Sequence, residues 1–129
     1  MPMHIILCSD NSSVQKLVVD GLDTHMARVT VCESGMELLA AVRSMAAELV
    51  VLDLNMHGLD GSLLASAVQE LAPGLPILAV SATVETDPVA VVQRGIPHVV
   101  LDSQCDEELR TLVTQLSGRG DAVLDAASR

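Results

Sequence analysis

Leu-Val-Val-Leu-Asp-Leu, residues 49–54, is aliphatic at every position but one. An unbroken apolar run of this length, without the alternation of a half-exposed strand, is the pattern of a strand covered on both faces, which in soluble proteins means a parallel sheet between helices. Asp53 is the outlier. Upstream, residues 3–8 form a second short apolar run; Ser-Asp-Asn-Ser-Ser follows, and Val14, Leu17, Val18, Gly21 and Leu22 then fall at helical spacing. Val29 and Val31 lie in another run that ends at Cys32, and Ser34-Gly35-Met36-Glu37 has the form of a capping box ahead of Leu38, Leu39, Ala41 and Val42. Downstream, residues 55–61 read as a loop, and Leu63, Leu64, Ala67, Val68 and Leu71 mark a helix that stops at Pro73-Gly74. Residues 77–80 are a fourth strand closed by Ser81. Thr86 or Asp87 caps a helix with Pro88 in its first turn, Val91 and Val92 inward and Gly95 as its stop. Residues 99–101 are the fifth strand. Asp106-Glu107-Glu108 opens the last main helix, with Leu109, Leu112, Val113 and Leu116 on its apolar face.

Five strand–helix units in succession predict an α/β fold: a five-stranded parallel sheet with helices on both faces, joined by right-handed crossovers. Ligands of such sheets sit beyond the carboxyl ends of the strands, near the switch in strand order. The positions to inspect are therefore Ser9, Asp10, Asp53, Asn55, Ser81, Ala82, Asp102 and Ser103.

Composition narrows the function. The 129 residues suit one domain, and half are apolar, which excludes a disordered chain. No apolar run approaches the ~20 residues of a membrane span, and no basic segment precedes residues 5–7, so a cytoplasmic location is expected. Seventeen acidic residues against seven Lys and Arg leave a formal net charge of −10, the wrong sign for gripping nucleic acid. Cys8, Cys32 and Cys105 lack metal-ligand spacing and read as idle thiols. With no Phe, Tyr or Trp, stacking on bases or on a flavin is excluded.

Asp10 and Asp53 end the first and third strands, so a doubly wound sheet brings them into one cleft. Two carboxylates and a backbone carbonyl, that of Asn55, suffice for Mg²⁺, which takes oxygen ligands and keeps several waters. Beside such an ion one carboxylate can attack a phosphoryl group and form an acyl phosphate. Helix capping and Asx turns account for loop aspartates equally well.

Leu-Asp-Leu-Asn-Met-His-Gly-Leu-Asp-Gly, residues 52–61, resembles the phospho-acceptor segment of two-component response regulator receiver domains. Residues 5–11 resemble their acidic first loop, residues 76–82 their fourth strand with its hydroxyl residue, and residues 95–101 their fifth. The resemblance covers about residues 3–117. It implies a flavodoxin-like receiver fold with Asp53 as phospho-acceptor, Asp10, Asp53 and Asn55 as the Mg²⁺ site, and Ser81 as the hydroxyl that senses a phosphoryl oxygen.

Four positions depart from that pattern. Ser9 stands where the family has the first of two acids, which weakens the metal site. Asp102 falls, in register, where the family has a lysine, with Ser103 after it. Unit charges about 4 Å apart interact by ~1 kcal/mol in water and ~4 kcal/mol at an effective dielectric of 20, so exchanging attraction for repulsion there slows phosphoryl transfer by orders of magnitude. Val99 takes the place of an aromatic ring that turns inward when the hydroxyl residue moves. His57 replaces a proline; without a second ligand at suitable spacing it reads as an exposed loop histidine, as do His4, His25 and His98. Arg119-Gly120-Asp121 reads as a tight turn and the six methionines as core fillers.

Residues 1–118 are thus expected to form the receiver. Residues 119–129 resemble the segment that leads into a LuxR-type helix-turn-helix, here an output domain outside the chain. The expected function is a non-enzymatic, atypical receiver that signals and dimerises for a transcription regulator, through residues 13–25 and 106–117, with phosphorylation at Asp53 weakened or lost. The alternative is a conventional receiver that takes phosphate on Asp53 from a histidine kinase with Mg²⁺. A flavoprotein lacks its stacking ring, and a haloacid-dehalogenase-type phosphatase lacks a second acid two positions beyond Asp53.

Overall fold

The computed structural model describes residues 3–22, 27–56, 60–82, 89–93, 95–101 and 106–116. Strands and helices alternate through them: β1 (Met3–Cys8), α1 (Ser12–Leu22), β2 (Ala27–Cys32), α2 (Gly35–Ser44), β3 (Leu49–Asp53), α3 (Gly61–Leu71), β4 (Ile77–Ser81), α4 (Val89–Val92), β5 (His98–Val100) and α5 (Asp106–Leu116). The sheet runs β2-β1-β3-β4-β5, with every neighbouring pair parallel. The chain steps outward from β1 to β2 and then returns past β1 to β3. The switch in direction lies between β1 and β3, where a doubly wound sheet opens its cleft.

Side-chain alternation divides the core into two layers. Ile5, Leu7, Leu49, Val51, Leu78, Val80 and Val99 face one way and pack with Val14, Val18 and Leu22 of α1 and Leu109 and Val113 of α5. Ile6, Cys8, Val50, Leu52, Ile77 and Ala79 face the other way, against Leu38 and Ala41 of α2 and Leu64, Ala65 and Val68 of α3. Both faces of β1, β3 and β4 are covered, which is why their sequences lack a polar–apolar period. On the first side the Arg110 Nε–H donates to the Gly21 carbonyl at 2.7 Å and pins α5 to the last turn of α1.

The helix starts follow local chemistry. Asn11 Oδ1 accepts from the Ser13 and Val14 N–H groups at 2.8 and 3.3 Å and caps α1. Ser34 caps α2 by accepting from the Glu37 N–H at 3.1 Å, while Glu37 reaches back to the Glu33 N–H at 2.7 Å, one residue beyond the N-cap N–H of the standard capping box. Asp60 caps α3 through the Ser62 and Leu63 N–H groups. Gly95, at φ +80°, sits in the left-handed region just after α4, as expected of a stop. The apolar face expected of α4 is different: Val92, expected inward, is 52% exposed, and the expected cap at Thr86 or Asp87 and Pro88 lie outside the described residues. The Val91 side chain lies outside the described residues. β5 begins one residue earlier than the sequence suggested, at His98, and ends at Val100. Among the described residues no helix is long and apolar enough to cross a membrane.

Candidate functional site

The register of β1 on β3 pairs Cys8 with Leu52. One step further along both strands places Ser9 beside Asp53, and by the two-residue side-chain period both point to the face that carries Leu7 and Val51. The Ser9 Oγ–H donates to Asp53 Oδ2 at 2.7 Å, and the Asn55 N–H donates to Oδ1 at 2.8 Å. Each carboxylate oxygen thus accepts a short bond from a neutral donor. The residues are 0% and 1% exposed for Ser9 and Asp53, so these bonds are made away from bulk water.

Ser9 is itself held on several sides. Its N–H donates to the Cys32 carbonyl at 2.9 Å and its carbonyl accepts from Gln15 Nε2 at 2.8 Å. Its Oγ accepts from the Asn11 N–H at 3.1 Å, and of the two acceptors in reach of its single proton, Asp53 Oδ2 at 2.7 Å and the Asn11 carbonyl at 3.4 Å, the carboxylate is the shorter and the charged one. Asp10, the next residue, is exposed. It lines, with Asn11, Ser12 and Asn55, an open cleft of about 340 Å³ at the carboxyl end of the sheet. Asn55 reaches across the loops, its Oδ1 accepting from the Ala82 N–H at 3.1 Å.

The next strand carries a second polar contact. Ser81 is buried at the end of β4 on the opposite face from Asp53, and its Oγ lies 2.8 Å from Nε2 of His98 in β5. Val99, one residue on, faces the α1–α5 layer together with Val80. The ring beside the hydroxyl residue is therefore that of His98, and Val99 occupies the other side of the sheet. His98 is half-buried in a strand, not exposed in a loop, and burial pushes its imidazole below the ordinary value. His4 likewise lies in β1 and bonds Thr30 Oγ1 at 2.8 Å.

Around the first loop the field is negative. Burial pushes the Cys8 thiol up to about 12, with Cys32, Asp53, Asp10 and Glu37 adding to the effect in that order. Cys8 and Cys32 are buried free thiols and pair across β1 and β2. Among the described residues no buried side-chain nitrogen or oxygen lacks a partner. Ser9, Asp53 and Asn55 are thus joined by hydrogen bonds, Asp10 and Asn55 line one cleft, and Ser81 lies one strand away. His57, Asp102, Ser103, His25, Cys105 and the segment 117–129 lie outside the described residues.

A doubly wound five-stranded sheet with a buried aspartate ending its third strand, an acid after its first and a hydroxyl after its fourth defines a class. The sequence model of the response regulator receiver domain matches residues 5–114, and the chain belongs to that family. It is 32% identical over 96 residues, 74% of its length, to the transcriptional regulatory protein GlrR of Escherichia coli (strain K12). Over 87 residues, 67% of its length, it is 30% identical to the DNA-binding transcriptional regulator NtrC of Salmonella typhimurium. The chain spans about a fifth of the length of these curated relatives, 22% and 19%. Its fold is similar to that of a part of NtrX from Brucella abortus, with a TM-score of 0.81 at 21% identity over 98% of this chain and 30% of that one. A CheY-like receiver domain protein from Methanospirillum hungatei aligns with a TM-score of 0.78 at 15% identity, over 95% of this chain and 99% of that one.

Proposed function

We propose that this receiver works as a signalling and dimerisation module of a transcription regulator in which phosphorylation at Asp53 is weakened. The observation that carries the reading is the Asp53 carboxylate, 1% exposed and already bonded through both oxygens by Ser9 and Asn55. Each oxygen keeps a second lone pair, but donors that stabilise the carboxylate make it a weaker nucleophile; a buried hydrogen bond to a charged group is worth about 1.5–3 kcal/mol, an upper bound of one to two orders of magnitude in rate. Asp10, Asp53 and the Asn55 carbonyl fit the smallest oxygen set that suits Mg²⁺, which when bound would neutralise charge on an incoming phosphoryl group. Ser81 is the hydroxyl for that group to meet, and His98 is its present partner.

The module binds and switches, with no turnover of its own. It works in the cytoplasm, and α1 and α5, clasped by Arg110, offer the face for a second copy. Residues 119–129 lead into a DNA-binding output domain of the LuxR type, on the likeness of that segment. A conventional receiver fed by a histidine kinase is the second reading, favoured by Asn55, which bonds Asp53 and lines one cleft with Asp10.

Incubation with acetyl phosphate and Mg²⁺, followed by intact mass measurement, separates the two, with Asp53→Asn as control. Sparse modification, with the same dimer fraction by sedimentation before and after, is the expected result. Rapid stoichiometric modification that Asp53→Asn abolishes establishes the conventional reading instead.

A further inference from the structure

We infer that Ser9 is a positioning residue that takes the place of a cation at Asp53, so that the acceptor carboxylate is held without a divalent ion. The inference rests on the reading of Asp53 as the acceptor. A buried carboxylate needs compensation from a metal, a cationic side chain or hydrogen-bond donors. Two donors supply it here: the Ser9 hydroxyl at 2.7 Å on Oδ2 and the Asn55 N–H at 2.8 Å on Oδ1.

The Ser9 hydroxyl is directed. Its oxygen accepts from the Asn11 N–H, while the backbone of Ser9 is fixed to Cys32 on one side and Gln15 on the other. A donor held this way costs little reorganisation and competes with any ion for the same oxygen. It also brings no negative charge, so an ion gains less from entering. Asp10 is left as the exposed acid of the cleft, which it lines with Asn11, Ser12 and Asn55, while both oxygens of the buried Asp53 accept hydrogen bonds. Ser9 thereby both stabilises Asp53 and lowers divalent affinity.

Mn²⁺ binding, read as loss of the free-ion signal by electron paramagnetic resonance, tests this with no phosphodonor present. Ser9→Asp supplies a ligand and a charge and is expected to bind at least about tenfold more tightly than the native chain, the scale on which removing a supporting group alters metal sites. Ser9→Ala removes the competitor and adds no ligand, and is expected to fall between the two. Equal affinity of the native chain and Ser9→Asp overturns the inference. So does weaker binding by Ser9→Ala than by the native chain, which would make the hydroxyl a ligand. Should Ser9→Asp not fold, the order of Ser9→Ala and the native chain decides alone. Fast phosphorylation of the native chain by acetyl phosphate would remove the proposed function and leave this affinity order untouched.

Discussion

Truncating Ser9 to alanine removes one hydroxyl and leaves Asp53 Oδ2 buried without the donor that now lies 2.7 Å away. Hydrogen bonds to charged groups contribute about 1.5–3 kcal/mol, and burial of both partners puts this one in the middle of that range, about 2 kcal/mol. The Asn55 N–H still holds Oδ1, so the loss concerns one oxygen. For a domain of this size about 1 kcal/mol moves the thermal midpoint by about 4 °C, so a fall of about 8 °C is expected. Urea unfolding of the native chain, Ser9→Ala, Asp53→Ala and the double variant gives the coupling directly. Ser9→Ala should cost about 2 kcal/mol more where Asp53 is present than where it is absent, the bond from the Asn11 N–H being lost in both backgrounds. A Ser9→Ala penalty that is the same in both backgrounds refutes the reasoning, since the hydroxyl would then matter for packing and not for the carboxylate.

His98 should titrate below its ordinary 6.5, because burial opposes its charged form. The folded state then binds fewer protons than the unfolded one, so this contribution to stability is present above pH 6.5 and is lost as the pH falls through the folded value. A ring-proton NMR titration with a midpoint at or above 6.5 contradicts it. Cys8, with its thiol pushed up to about 12, should resist iodoacetamide in the native state and react in urea. Its contribution to stability is full below the ordinary 9.0 and declines as the pH rises toward 12, which alkaline unfolding curves would show. Ser34→Ala removes the α2 cap and should cost about 1 kcal/mol in urea unfolding, with Ser34→Gly costing less.

The fold was legible because burial on both faces writes itself into strand sequence. Residues 49–54 and 77–80 have no polar alternation to confuse with a helix, and the capping box at Ser34 and the stop at Gly95 are local signals that survive folding. For α4 the stop at Gly95 was legible and the exposure of Val92 was not, since helical spacing alone does not say which face of a helix meets the sheet. At the site, the residue types were readable and their relations were not. Ser9 reads along the chain as a lost acid; only the pairing of Cys8 with Leu52 reveals that its hydroxyl meets Asp53. His98 gave no local sign of a partner, because its contact with Ser81 arises from the β4–β5 register, where Ala79 pairs with His98. The signal available in sequence was parity: once β5 is placed, Val99 faces the same layer as Val80, and the residue on the Ser81 face is its neighbour.

The most direct test of Asp53 held by two neutral donors is the Ser9 hydroxyl proton itself. In carbon-detected NMR of the Asp53 carboxylate, a proton bonded to Oδ2 splits or shifts the Cγ resonance when the solvent is half deuterated, and the burial of Ser9, 0% exposed, slows the exchange that would average it. An isotope shift on Asp53 Cγ that persists without divalent ions and shrinks in Ser9→Ala to the part contributed by the Asn55 N–H is the expected result. An Asp53 Cγ resonance that shows no such shift, or shows the same shift in Ser9→Ala, contradicts it.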